Sequence, residues 1–74
     1  AESVLRLMVE RHPDAAVAYN NLAQTVLDQG RAGEALPLAQ RAVALAGEEG
    51  PVAAAARDTL ASVTRSLSTD PQKR

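Results

Sequence analysis

The sequence lacks cysteine, phenylalanine, tryptophan and isoleucine, and it contains one histidine, one methionine and one tyrosine among 74 residues. Without cysteine the chain forms neither disulfides nor thiolate zinc sites, and a single imidazole excludes metal sites that need several histidines. A net charge of −1 and the scarcity of aromatic residues argue against a nucleic-acid partner. No apolar run approaches the ~18 residues of a membrane span. We therefore expect that the chain has no nucleic-acid partner and no membrane-spanning segment.

The titratable side chains show no pair that is spaced for general acid–base chemistry. We interpret Asp14, Asp28, Glu34 and Asp58 as helix caps or solvated surface charges. His12 is interpreted as a surface loop residue, with a pH switch as the alternative. We therefore predict a protein that is not an enzyme and that uses no cofactor or metal.

Alanine is abundant, with 16 residues against nine leucines and seven valines. Alanine is the best helix former, and no segment alternates polar and apolar residues as a strand does. Glycines and prolines separate the apolar segments, which predicts helices over residues 1–11, 15–29, 32–46 and 52–67. Because large apolar side chains are few, we expect a small core that neighbouring repeats, a partner or self-association would stabilise.

Local signals define the ends of these helices. Asp14 is predicted to be the N-cap of the second helix, and Gly30 and Gly47 are predicted to end the second and third. Pro37 is expected near the first turn of the third helix, where a missing N–H costs little. The first helix is expected to bury one apolar stripe, made of Val4, Leu5, Met8 and Val9.

Residues 34 positions apart are similar in type. Val9 aligns with Val43, and Pro13 aligns with Gly47, which is also a helix-ending residue. A helix–turn–helix unit of about 34 residues is typical of the tetratricopeptide repeat, or TPR. Residues 16–49 resemble one complete repeat of that family. The positions that carry the resemblance are Tyr19, Leu22, Ala23, Val26, Gly30, Ala35, Ala39, Ala42 and Gly47.

The resemblance extends over most of the chain. Residues 1–12 resemble the end of a preceding repeat, and residues 52–67 resemble a C-terminal capping helix. The resemblance therefore implies an all-α fold of antiparallel helix–turn–helix repeats, a TPR-like α-solenoid, over residues 1–67. The polar segment 68–74 is expected to fray.

The resemblance also implies how the helices pack. Tyr19 and Leu22 would fill the space between two helices that approach closely at Ala23, Ala35 and Ala42.

The last helix can be aligned with the first helix of the repeat in two registers. A 34-residue step places Ala53 opposite Tyr19, whereas a 38-residue step, which we prefer, aligns Leu60 with Leu22. The two registers differ by about one helical turn and present nearly the same face.

In this family the first helices of successive repeats line a concave groove that holds an extended peptide or a partner's helix. By position, the groove residues here would be Val17, Asn20, Gln24, Leu27, Asp28, Asp58 and Ser62. Asn20 and Gln24 have side chains that can hydrogen-bond a peptide backbone, and the alternative is that they are ordinary solvated residues. The lysines of the family's carboxylate clamp are missing.

The resemblance thus implies a non-catalytic protein–protein interaction module with a peptide or protein partner. The alternative is a structural element that self-assembles, stacking on another copy or on flanking repeats through exposed repeat faces. The chain does not begin with Met and has no signal-peptide pattern, so we expect a piece of a longer or processed protein.

Overall fold

The computed structural model describes residues 2–68 of the chain. This part contains four α-helices and no strand: α1 is Glu2–Arg11, α2 is Ala16–Asp28, α3 is Ala32–Ala46 and α4 is Pro51–Ser68. The prediction of an all-α fold is confirmed. Of the predicted polar tail, Ser68 is the last residue of α4, and the rest lies outside the described residues.

Three of the helices pack against one another. The short connection 29–31 joins α2 to α3, and these two helices share the largest contact, so they run antiparallel as a helical hairpin. The α3 helix also packs on α4, and α4 in turn contacts α2. The backbone of α1 approaches α2 alone. As a result, α2 lies at the centre, with neighbours on several sides.

The core contains small side chains between a few larger ones. Its fully buried cluster consists of Leu22, Ala23, Val26, Ala35, Ala39 and Val63. Ala42 is also fully buried. The alanines predicted at the contact between the helices, Ala23, Ala35 and Ala42, are all fully buried, and a methyl group is small enough to allow a close approach there. Larger apolar residues are half-buried around the cluster, namely Leu5, Val9, Leu27, Leu36, Leu38, Leu60 and Leu67.

Tyr19 does not occupy the expected place inside the hairpin. Its side chain is half-buried, and the guanidinium carbon of Arg41 on α3 lies 5.9 Å from the centre of its ring. At the edge of α2, the ring face can attract the arginine cation and the hydroxyl can reach water. The prediction of a core tyrosine was therefore wrong.

The apolar stripe predicted for α1 is divided between two faces. Leu5 and Val9 pack on the core, whereas Val4 is 62% exposed, Leu7 47% and Met8 40%. Residues three or four positions apart lie on one side of a helix, so Leu5 and Val9 share one side, whereas Val4, Leu7 and Met8 share another. Since the backbone of α1 approaches α2 alone, the second apolar face of α1 stays exposed.

Two further local predictions were wrong. The N-cap position of α2 is Ala15, with no side-chain cap bond, so Asp14 precedes the position from which it could cap the first turn. Pro37 lies inside α3, in its second turn, because that helix begins at Ala32. There the missing N–H deprives the carbonyl of Gly33 of its usual helical donor.

The preferred register for α4 does not reproduce the burial of α2. Leu22 and Ala23 are both fully buried, but the residues aligned with them by the 38-residue step, Leu60 and Ala61, are half-buried and exposed. The reason is positional: α2 lies between α1 and α4, whereas no later helix within residues 2–68 covers the outer side of α4.

Two glycines near the α2–α3 turn are expected to respond to substitution in opposite directions. Gly30 has a φ of 80°, and Gly30→Ala is expected to destabilise the fold by about 1–2 kcal/mol, because a Cβ disfavours left-handed backbone. Gly33 lies within α3 with open space around its Cα, so Gly33→Ala should stabilise the fold by about 0.5–1 kcal/mol. Urea unfolding of both variants measures the difference. Equal effects would contradict the assigned turn.

Four charged side chains connect α1 to the start of α3. We call Glu2, Arg6, Arg31 and Glu34 the charge ring. Arg31 lies 2.9 Å from Glu2 and 2.6 Å from Glu34, and Arg6 lies 2.9 Å from Glu2 and 3.1 Å from Glu34. Both glutamates belong to the first turns of their helices, where the helix dipole favours negative charge. Glu34 is therefore part of an ion-pair network and not simply a cap or solvated charge.

The charge ring makes the stability of the fold depend on pH in the acidic range. Hydrogen bonds from Arg31 and Arg6 lower the pKa of Glu2 to about 2, and a hydrogen bond from Arg31 also lowers the pKa of Glu34. A lowered pKa stabilises the folded state above the usual carboxyl pKa, and this contribution is lost as pH falls through the folded value. We expect a thermal midpoint that falls as the pH is lowered from 4.5 towards 2.

The matched variants for this prediction lie on the same helix. Glu2→Gln should reduce the acid dependence of the midpoint. Glu10→Gln should not, because Glu10 forms no ion pair within residues 2–68. The measurement is circular dichroism melting across this pH range at low and high salt, since salt screens exposed pairs. Identical pH profiles for the two variants would contradict the role of the ring.

Candidate functional site

The last turn of α2 and the middle of α4 enclose a groove, which we call the α2–α4 groove. Its cavity measures about 330 Å³. The lining residues are Gln24, Leu27, Asp28, Asp58, Thr59 and Ser62. The first three lie on α2 and the others on α4, so the groove exists because these two helices lie side by side.

A side-chain hydrogen bond joins the two walls of the groove. Gln24 Nε2 donates to Thr59 Oγ1 at 3.0 Å, and the same hydroxyl donates to the carbonyl of Ala55 at 3.1 Å. Thr59 is 3% exposed, whereas Gln24 is exposed. A buried hydroxyl is costly without partners, and here it has both a donor and an acceptor. The contact therefore fixes the spacing of α2 and α4.

The charged side chains in the lining are both acidic. Asp28 and Asp58 are exposed, and neither forms an ion pair within residues 2–68. Asp28 is the last residue of α2, and the last turn of that helix contains no basic residue. The carboxyl end of a helix has a partial negative charge of about half an electron, which disfavours an acidic residue there. The groove is thus negative and has no cation in its lining.

An arginine lies just outside the lining. Arg65 Nη2 donates to Ser62 Oγ at 3.3 Å, one turn farther along α4. The hydroxyl of Ser62 thereby connects the lining with a cation on the adjacent turn, and Arg65 is not itself a lining residue.

The structure brings together five of the residues predicted for a groove, namely Gln24, Leu27, Asp28, Asp58 and Ser62. Val17 and Asn20 are not among the lining residues. Val17 is 52% exposed near the start of α2. Asn20 is 7% exposed, and its Oδ1 is buried without a hydrogen-bond partner. Thr59 is a lining residue that the sequence analysis did not select, although it directly follows the selected Asp58 in the sequence.

The chemistry of the α2–α4 groove is suited to binding. It offers carboxylates, a side-chain amide and a hydroxyl around one leucine.

Within residues 2–68 no group of three or more histidine, cysteine, aspartate or glutamate side chains could hold a metal ion. In the same part of the chain, no helix is long and apolar enough to cross a membrane. Comparisons with models of protein families, with curated proteins and with solved structures found no match to this chain.

Proposed function

We propose that this chain is a TPR-like interaction module that binds an extended peptide or a partner's helix in the α2–α4 groove. The helical hairpin is a repeat unit in this proposal, α1 is the end of a preceding repeat, and α4 is the helix that completes the groove. The protein holds a partner and does not transform it.

One observation carries the proposal. Five residues that the resemblance to the TPR family assigns to a groove line the same cavity, and they come from two helices that are far apart in sequence. The lining combines one leucine with five polar or charged side chains, which can hydrogen-bond or pair with groups of a partner. The α3 helix packs on both α2 and α4, so it holds together the two helices that line the groove.

The experiment blocks the groove without changing the core. Peptides that bind the wild-type protein are first selected from a display library of short random sequences. Ser62→Phe should weaken their binding at least tenfold, because a ring at this half-buried lining position would occupy the cavity. Ser66→Phe is the matched control. It makes the same change one turn farther along α4, at an exposed position outside the lining, and should leave binding unchanged.

Fluorescence anisotropy of the labelled peptides gives the affinities, and circular dichroism verifies that both variants are folded. Equal binding by the two phenylalanine variants would rule out the groove as the binding site. Failure to select any peptide would argue against the interaction function itself.

A second candidate function rests on α1. Its exposed face carries Val4, Leu7 and Met8, which are 62%, 47% and 40% exposed. Contiguous exposed apolar residues mark surfaces that bind another protein. This face supports a structural role in which α1 stacks on another copy or on a flanking repeat.

Self-assembly through α1 can be tested by sedimentation at several protein concentrations. Met8→Lys should abolish a concentration-dependent dimer, because a charge would enter the apolar contact. Ser3→Lys adds the same charge at an exposed position of the same helix and serves as the control. A wild-type chain that sediments as a monomer at every concentration would remove this candidate.

A further inference from the structure

We infer that the occupant of the α2–α4 groove is a basic peptide segment, whose lysine or arginine side chain pairs with Asp28 and Asp58. This inference rests on the proposed function and specifies the chemistry of the partner. It is carried by the charge of the lining, by the position of that charge in α2 and by the hydrogen-bonding groups around it.

The two carboxylates lie on different helices and line one cavity. Neither is neutralised by an ion pair within residues 2–68. The contrast with the charge ring is informative, because there each glutamate lies within 4 Å of two arginines. The two carboxylates of the groove line the cavity without such an ion pair.

The position of Asp28 adds to the negative potential. An acidic residue at the last position of a helix opposes the helix dipole, and cations are the groups that this end prefers. A positive side chain in the groove would therefore be attracted by the two lining carboxylates and by the carboxyl end of α2. An acidic occupant would be repelled by all three. Charge complementarity thus selects a basic occupant.

The remaining lining groups suit a peptide that bears such a side chain. Leu27 provides an apolar surface for the methylene stem of a lysine or arginine, which commonly packs along apolar groups. Gln24 donates to Thr59 through its nitrogen, and its carbonyl oxygen has no donor within residues 2–68, so it can accept from a peptide N–H. The cavity of about 330 Å³ is at the small end for a binding pocket, as one anchoring side chain requires.

The test uses the display library of short random peptides on the wild-type protein. The selected peptides should be enriched in lysine and arginine over the starting library. Asp28→Asn together with Asp58→Asn should weaken binding of a selected basic peptide by about threefold to tenfold, the range expected for losing two exposed ion pairs. Raising the salt concentration should weaken binding to the wild type more than binding to this double variant.

The matched control removes the same number of negative charges elsewhere. Glu48 and Glu49 are exposed in the α3–α4 connection, outside the lining. Glu48→Gln with Glu49→Gln should therefore leave the affinity nearly unchanged. Equal losses in the two double variants would mean that only the net charge matters, and this would overturn the inference.

A reversed-charge variant distinguishes a change of specificity from a loss of stability, because an unfolded protein would not gain new peptides. Asp28→Lys with Asp58→Lys should lose the basic peptides and select acidic ones from the same library. Suppose that the wild-type protein selects neutral or acidic peptides and that Ser62→Phe still blocks their binding. That result would overturn the inference of a basic partner, and the proposed function would stand. Failure of Ser62→Phe to block any selected peptide would instead remove the groove itself.

Discussion

Val26→Asp is expected to unfold the protein, so that helical circular dichroism is lost at room temperature. Val26 is fully buried in the core cluster, between helices that leave no room for water. A carboxylate there would lose its hydration without gaining a partner, and within residues 2–68 Val26 is one of the three largest fully buried side chains. A penalty of several kcal/mol is comparable with the total stability of a small domain.

The matched control is Val17→Asp on the same helix. Val17 is 52% exposed and lies near the start of α2, where the helix dipole favours an acidic residue. The dipole contributes at most about 1 kcal/mol to the difference between the two sites, so burial decides the outcome. Val17→Asp should remain folded, with a thermal midpoint close to that of the wild type. A folded Val26→Asp variant would show that the assigned core is wrong.

Ala39→Leu is expected to cost roughly 1–3 kcal/mol or more, because a larger side chain must push α3 away from its neighbours. Ala39 has no exposed surface, and it belongs to the same cluster as Leu22 and Val63. Leucine is nearly as good a helix former as alanine, so the change tests the helix contact and leaves the local preference almost unaltered.

Ala44→Leu provides the comparison on the same helix. Ala44 is exposed, so the same three added carbons should change the free energy of unfolding by no more than about 0.5 kcal/mol. Urea denaturation of both variants gives the two values. If both substitutions were equally tolerated, the close contact between the helices at the alanines would not exist.

The four helices were predictable because their signals are local. Alanine content favours helix throughout, and left-handed Gly30 and Gly47 end α2 and α3 as the pattern indicated. The burial of Leu22, Ala23 and Val26 also follows from one helical period.

The errors concern choices that depend on neighbouring helices. Periodicity shows that α1 is apolar on a wide face, but only the position of α2 decides that Leu5 is covered and Val4 is not. Tyr19 was placed inside because the resemblance implied that it fills the space between two helices, whereas its ring is half-buried and lies against Arg41. The contact of Arg31 with Glu2 joins residues 29 positions apart, and no local pattern indicates it.

The candidate groove was predicted only in part, because its lining also depends on how neighbouring helices pack. Gln24, Leu27 and Asp28 lie on one face of α2, and the resemblance assigned that face to a partner. Asn20 lies one turn earlier, and it is 7% exposed because it falls within the buried face. Helical spacing alone could not distinguish a residue at the margin of a groove from one beneath it.

The most direct test of the account is the proximity of α2 and α4 in solution, since the groove exists only if these helices lie side by side. The nuclear Overhauser spectrum of the wild-type chain should contain cross-peaks between the side-chain amide protons of Gln24 and the protons of Thr59, whose Nε2 and Oγ1 atoms are 3.0 Å apart. The absence of these cross-peaks in a spectrum that shows all four helices would contradict the arrangement, and with it the groove.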